Sequence, residues 1–128
     1  MSENKRFYLC EICGKVIELI HNTDISTICC GKEMKLLKAN TSDGAYEKHV
    51  PAYEIDDSKE EIIVQVGEIE HPMEKDHYIM WIAQVKDDIT IRRQLFPGQK
   101  PMVKMQYIKG STIYAYCDKH GLWKKEVE

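Results

Sequence analysis

All five cysteines of this 128-residue chain fall into two metal-ligand constellations, and that placement limits what the sequence can fold into. Cys10 and Cys13 are spaced as Cys-x-x-Cys, and the adjacent pair Cys29 and Cys30 completes a four-thiolate set. The fifth, Cys117, opens Cys117-Asp-Lys-His120, with His49, His71 and His77 upstream. Between Arg6 and Leu37 large apolar residues are sparse, and units below ~40 residues need a disulfide, a metal or a partner chain to stay folded. A metal is therefore expected to serve as the core of that segment. An odd cysteine count fits poorly with full pairing, and thiolates kept for metal point to a reducing compartment.

Length allows one ordinary domain, or a very small module joined to a modest one. Three segments are expected: a metal module over 1–37, a polar, turn-forming linker over 38–44, and a second domain over 45–128. With 43% hydrophobic and 30% charged residues the composition is that of a globular protein, and no apolar run approaches the ~20 residues of a membrane span. The charged start Met1-Ser-Glu-Asn-Lys-Arg6 runs into Phe7-Tyr-Leu-Cys10 rather than a signal core, so a cytoplasmic location is expected. A net charge of -3 argues against a nucleic-acid binder, which needs a basic face to displace counterions.

Beyond the linker the chain reads as β-structure. Runs at Ile62 to Val66, Tyr78 to Val85, Ile89 to Leu95, Val103 to Tyr107 and Thr112 to Cys117 are divided by turn signals such as Pro97-Gly98 and Lys109-Gly110. In the third run Ile89, Ile91 and Leu95 alternate with Thr90, Arg92 and Gln94, the period of a half-buried strand. Several such strands bury one face against a second sheet, so the fold class expected is mostly β, an antiparallel sandwich preceded by the small metal module. No long amphipathic helix is expected.

In the first constellation, Cys-x-x-Cys wraps a tight turn around one ion and lets backbone amides face the sulfurs. Cys29 and Cys30 are adjacent, which opens their angle at the metal, and Gly31 relieves the backbone beside them. Spacing alone does not choose between zinc and iron, since both accept four thiolates in a tetrahedron. In the second, four imidazoles and one thiolate leave an octahedral ion one vacant position, and a ferrous ion so held carries a charge of about +1, attractive to an anion. Lys48, beside His49, adds to that attraction, and Glu47 is a hard carboxylate able to fill the vacancy on ferric iron. Taken alone, Glu47 and Lys48 also read as a solvated pair on a loop. His21 has no obvious partner and reads as a surface residue, while Trp81 and Trp123 read as core or shielding residues, Trp123 near enough to His120 to cover an imidazole.

Tyr8-x-Cys10-x-x-Cys13-Gly14, Cys29-Cys30-Gly31 and Met34-Lys35-Leu36 resemble the desulforedoxin-type module. Glu47-Lys48-His49-Val50-Pro51, His71-Pro72-Met73, His77 and Cys117-x-x-His120-Gly121-x-Trp123 resemble the superoxide reductase catalytic domain. In this order, over nearly the whole chain, they are similar to the desulfoferrodoxins, two-iron superoxide reductases. The resemblance implies one iron on Cys10, Cys13, Cys29 and Cys30, and a catalytic iron held equatorially by His49, His71, His77 and His120 with Cys117 axial. It further implies an immunoglobulin-like sandwich, a homodimer paired through the small domains, superoxide as substrate, and rubredoxin or a similar carrier as electron donor. Lys48 then attracts superoxide and helps organise protonation, and Glu47 binds the ferric site after turnover. Two positions depart from the pattern: Asp118 stands where asparagine is common and Tyr78 where tryptophan is frequent. The rival readings are an iron electron-transfer protein without catalysis and a zinc-clip protein whose histidines are structural.

Overall fold

Residues 6–41, 46–58 and 60–128 are described in the computed structural model. The chain divides into two compact units, Met1–Lys38 and Ala39–Glu128. Of the linker expected at 38–44, residues 42–44 lie outside the described residues, as do residues 1–5 and residue 45.

The first unit holds five very short strands: β1 (Phe7–Leu9), β2 (Val16–Glu18), β3 (Ile28–Cys29), β4 (Lys32–Glu33) and β5 (Lys35–Leu36). β1 pairs antiparallel with β2 on one side and β5 on the other, and β3 with β4 forms a hairpin. Phe7, Cys10 and Met34 are its buried apolar residues, whereas Ile12, Ile20, Ile25 and Ile28 are 61%, 96%, 81% and 62% exposed. Ladders of two or three residues with so little burial are marginal by themselves, and crosslinking by a metal is what such a unit needs.

The second unit begins with a helical turn, α1 (Tyr46–His49), followed by β6 (Pro51–Ile55), β7 (Glu61–Val66), β8 (Ile79–Lys86), β9 (Ile89–Gln94), β10 (Met102–Gln106), β11 (Thr112–Cys117) and β12 (Gly121–Glu126). Two sheets result, ordered β10-β7-β6 and β12-β11-β8-β9, with every pairing antiparallel. Ile62, Val64, Val66 and Met105 from the first meet Ile79, Ile82, Ile113, Ala115 and Cys117 from the second in one buried cluster. Removing each large aliphatic side chain there from water contributes about 1.5–3 kcal/mol. The five expected strands are present, and Gly98 and Gly110 take the left-handed φ of 85° and 84° that their turns require. Ile89, beside the turn at Asp87, is 45% exposed, so the inward row of that strand is carried by Ile91 and, just past its end, Leu95.

A shift of register between Tyr116 and Cys117 matters for function. Tyr116 pairs with Trp81 but Cys117 pairs with Ile79, so Met80 is extra on β8. This bulge keeps both Ile79 and Cys117 facing the core, where strict alternation allows only one. Cys117 thus ends β11 fully buried, at the end of the sandwich where β7 stops and β8 and β12 begin.

Candidate metal centre

Five donors collect at that end of the sandwich. His49 closes α1, His71 and His77 lie on the connection from β7 to β8, Cys117 ends β11, and His120 sits in the turn to β12. Their ligand atoms all lie within 4.8 Å of one another. The imidazoles form a closed ring in the order His49, His71, His77, His120, with successive centroids 4.6, 4.9, 5.1 and 4.7 Å apart and neighbouring planes at 70–82°.

Backbone contacts hold the segments that carry His49, His71 and His77. Ile69 N–H donates to the Glu47 carbonyl at 2.8 Å, tying α1 to the β7–β8 connection, and His71 N–H donates to Val66 at 2.8 Å. Glu74 and His77 exchange backbone hydrogen bonds of 2.9 and 3.1 Å, which fixes the His77 turn. Gly67 lets α1 come this close: a Cβ there would stand 2.7 Å from the Glu47 carbonyl oxygen and 2.9 Å from the Lys48 carbonyl carbon. Any side chain at 67 would push the turn bearing His49 off its seat.

The donor chemistry tests whether a cation fits. His71 Nδ1 lies 2.7 Å from the Pro72 carbonyl, so this nitrogen carries the proton and Nε2 turns its lone pair inward. Burial, against the pull of that hydrogen bond, lowers the His71 pKa to about 4, leaving the imidazole neutral near pH 7. His49 Nε2 stands 3.1 Å from His71 Nε2 and 3.0 Å from His120 Nδ1, and His77 Nε2 is buried with no hydrogen-bond partner among the described residues. One proton on His49 cannot serve two neighbours, and none of these contacts reaches His77. A shared ion serves all four: nitrogens about 2.1 Å from one metal, at right angles, lie about 3.0 Å apart. Three Nε2 atoms and the Nδ1 of His120 are the inward nitrogens.

Cys117 Sγ stands 3.8 Å from His120 Nδ1. Burial raises the thiol pKa, while the backbone N–H groups of Lys119 and His120 act the other way and Asp118 adds to the rise. The Asp118 carboxylate is 4.0 Å from Sγ and accepts Tyr78 N–H at 3.0 Å, so it points toward the sulfur while clasping the residue after His77. Asp118→Asn keeps that acceptor and deletes the charge. We expect the reduction potential of this centre, followed by redox titration, to rise by roughly 30–70 mV, the effect of one charge at about 5 Å in a largely solvated setting. An unchanged potential would show the charge to be screened.

Cys10, Cys13, Cys29 and Cys30 form the other group, again with all ligand atoms within 4.8 Å. Cys13 and Cys29 sulfurs are 3.7 Å apart, close to the 3.8 Å or so that tetrahedral thiolates about 2.3 Å from one ion adopt. Cys13 N–H faces Cys10 Sγ at 3.4 Å and, with the Ile12 amide, lowers the Cys10 pKa to about 6. Crowding against Cys10 and Cys13 pushes Cys29 up to about 12. Four sulfurs this close cannot all ionise without a cation among them. Cys30 itself takes a left-handed φ of 54°, so the strain of adjacent ligands falls on it, while Gly31 follows at 74° without that cost.

Glu47 and Lys48 lie on the exposed side of α1, and the Glu47 carboxylate is not among the five clustered donors. Lys48 pairs with no carboxylate among the described residues. His21 is exposed. Trp123 was legible only as a cover: it stacks on His49 with centroids 4.9 Å apart and also donates Nε1–H to the His120 carbonyl at 3.0 Å.

Fold and donors together define a non-haem metalloprotein with two centres of different chemistry, each able to hold iron. The family profile described as desulfoferrodoxin matches residues 41–126, and that described as desulfoferrodoxin, N-terminal domain, matches residues 2–37. The chain belongs to the desulfoferrodoxin family. It is 42% identical over 127 residues to a desulfoferrodoxin of Syntrophotalea carbinolica, across 98% of this chain and 99% of the relative. It is 31% identical to a superoxide reductase of Pyrococcus abyssi over 100 residues, covering 64% of this chain and 87% of the relative. Its fold is similar to that of the superoxide reductase from Treponema pallidum, with a TM-score of 0.74 at 24% identity, covering 97% of this chain and all of that one.

Proposed function

We propose that this chain is a superoxide reductase, converting superoxide and two protons to hydrogen peroxide by one-electron reduction, with no release of oxygen. One observation carries the reading: His49, His71, His77, His120 and Cys117 converge on one point, five donors for an ion that accepts six. A ferrous ion held by these five residues would supply the electron and a positive charge toward the incoming anion. The chain supplies the rest. His71, locked by Pro72 and kept neutral by burial, and His77, held by Glu74, keep their imidazoles in place so that little rearranges as charge moves. Cys117, backed by the amides of Lys119 and His120, would supply the one thiolate from the buried end of β11. Lys48 draws the anion in and orders water for protonation. Glu47, on the exposed side of α1, would offer its carboxylate to the oxidised centre.

Cys10, Cys13, Cys29 and Cys30 hold the second iron, and a rubredoxin or similar reduced carrier restores the electron spent in each turnover. Exposed Ile12, Ile20, Ile25 and Ile28 support a homodimer formed through the small unit. Sedimentation showing only monomer at micromolar concentration would exclude it. Five free thiols placed for metal rather than pairing support a cytoplasmic location, and among the described residues no helix is long and apolar enough to cross a membrane.

The reading is tested on anaerobically purified, iron-loaded protein given superoxide pulses in the presence of excess reduced rubredoxin or a similar carrier, which supplies the one electron spent per turnover. A reductase yields one peroxide per superoxide and no oxygen, a dismutase half as much peroxide with oxygen, and a carrier without catalysis no sustained consumption. Either of the latter results excludes the proposal.

A further inference from the structure

His71 and His77 lie on one connection, and the chain around them is closed on itself through Met73. The inner closure is the exchange of backbone hydrogen bonds between Glu74 and His77. An outer one encloses it: Ile79 N–H donates to the Met73 thioether, Sδ, at 3.4 Å. Met73 comes two residues after His71 and Ile79 two after His77, so this contact joins the chain leaving one ligand to the chain leaving the other.

The bulge explains why a side chain is needed at Ile79. Tyr78 N–H donates to the Asp118 carboxylate at 3.0 Å and Asp118 N–H to the Tyr78 carbonyl at 3.2 Å, so residue 78 faces β11 and the next amide turns to the opposite edge of β8. On that edge the pairing with β9 ends at Trp81, and Ile79 has no exposed surface, so its N–H meets neither a ladder partner there nor water. Among flexible apolar side chains only methionine carries an acceptor. Met73 is itself braced: its carbonyl accepts Gly98 N–H at 2.8 Å and its side chain packs against the buried cluster of the sandwich. His77 depends on such supports, because its Nε2 is buried with no hydrogen-bond partner among the described residues and its ring meets those of His71 and His120.

We propose that Met73 is a positioning residue for His77: its sulfur, by accepting Ile79 N–H, sets the aim of the His77 imidazole together with the Glu74 turn and the grip of Asp118 on Tyr78. The sulfur is the part that matters, since a hydrocarbon of the same size fills the space and leaves the Ile79 amide unpaired. Met73 is not one of the five donors and acts only through the backbone that carries His77. The inference rests on those five donors sharing one ion and is independent of the reaction that ion supports.

The test uses the full chain in two metal forms. Loaded with Zn2+, it gives amide hydrogen exchange by NMR; loaded with Co2+, it gives the hyperfine-shifted imidazole proton resonances and the rate at which a chelator strips this site. Met73→Leu keeps the volume and deletes the acceptor, and Met73→Gln returns an acceptor on a chain of similar length. In the Leu variant Ile79 N–H exchanges about tenfold faster, the effect of one modest hydrogen bond, while the amides of β7 exchange as in the parent. The His77 resonances move further than those of the other three imidazoles, and metal loss is about tenfold faster, the lower end of what removing a ligand's support brings. The Gln variant restores the Ile79 amide and the His77 shifts. A Leu variant with the parental Ile79 exchange and His77 shifts, equal acceleration at Ile79 and along β7, or a Gln variant that behaves as the Leu variant overturns the proposal. Unprotected Ile79 N–H in the parent overturns it without any variant. A parent with no shifted imidazole signals removes the shared ion, and the proposal with it, and is told apart from the other failures by that spectrum alone.

Discussion

Replacing Cys117 by serine is expected to abolish turnover, by about 100-fold or more, while leaving the other metal centre intact. The sulfur is the one thiol donor in its group, and its four partners are imidazoles. A serine hydroxyl does not ionise near neutral pH, so the variant offers an iron ion no charge compensation, and the Lys119 and His120 amides are left facing a weaker acceptor. Cys117 also sits in the apolar cluster with Ile79 and Ala115, where a hydroxyl without a full set of partners costs about 1–3 kcal/mol. The observable signature is loss of the thiolate-to-iron absorption of this centre with the absorption from the Cys10, Cys13, Cys29 and Cys30 group retained. Because the two groups lie in separate compact units, the second serves as an internal control for intact protein. Peroxide production at the parental rate by a serine variant would mean that the thiolate is dispensable and that the electron leaves from elsewhere.

That both donor groups were legible from sequence follows from rarity. Cysteine and histidine number five each, and spacing singles out nearly all of them, so chemistry could be read without knowing the backbone path. The central strands were legible for a related reason: β7 places Ile62, Val64 and Val66 on one face, and a period of two survives any detail of packing. β6 and β12 were not. β6 opens with Pro51 and ends on exposed Glu54 and Ile55, as suits a strand at a sheet edge. β12 reads Gly-Leu-Trp-Lys-Lys-Glu, which resembles a charged tail until β11 is seen to pair with it over six residues. α1 is a single turn, too short for any helical period, and it exists because Gly67 lets it settle on the end of β7. The aim of Asp118 and the double contact of Trp123 depend on ångström-scale placement across the fold, which residue type and spacing do not encode.

For Lys48 the expected result concerns rate and salt together. Lys48→Gln should slow the second-order reaction with superoxide about tenfold at low ionic strength, and the parent's decline with added salt should flatten in the variant. The whole chain bears a net charge of -3, which repels an anion at long range, so attraction must be local. Lys48 is exposed, neighbours His49 in sequence and pairs with no carboxylate among the described residues, so its charge is available to solvent. At a separation of about 6 Å two unit charges attract by about 0.7 kcal/mol in bulk water and about 3 kcal/mol at the effective dielectric of a protein surface, or roughly threefold to 100-fold in rate. The expected tenfold lies between these limits. The sign of the salt effect follows from attraction: ions screen it over about 10 Å at 0.1 M, so the parent slows as salt rises. Lys48→Arg keeps the charge and should restore both the rate and the slope, which separates steering from a contribution of the ammonium as a proton donor. Pulse radiolysis across ionic strength gives the answer, and equal slopes for the parent and the glutamine variant would remove Lys48 from the encounter.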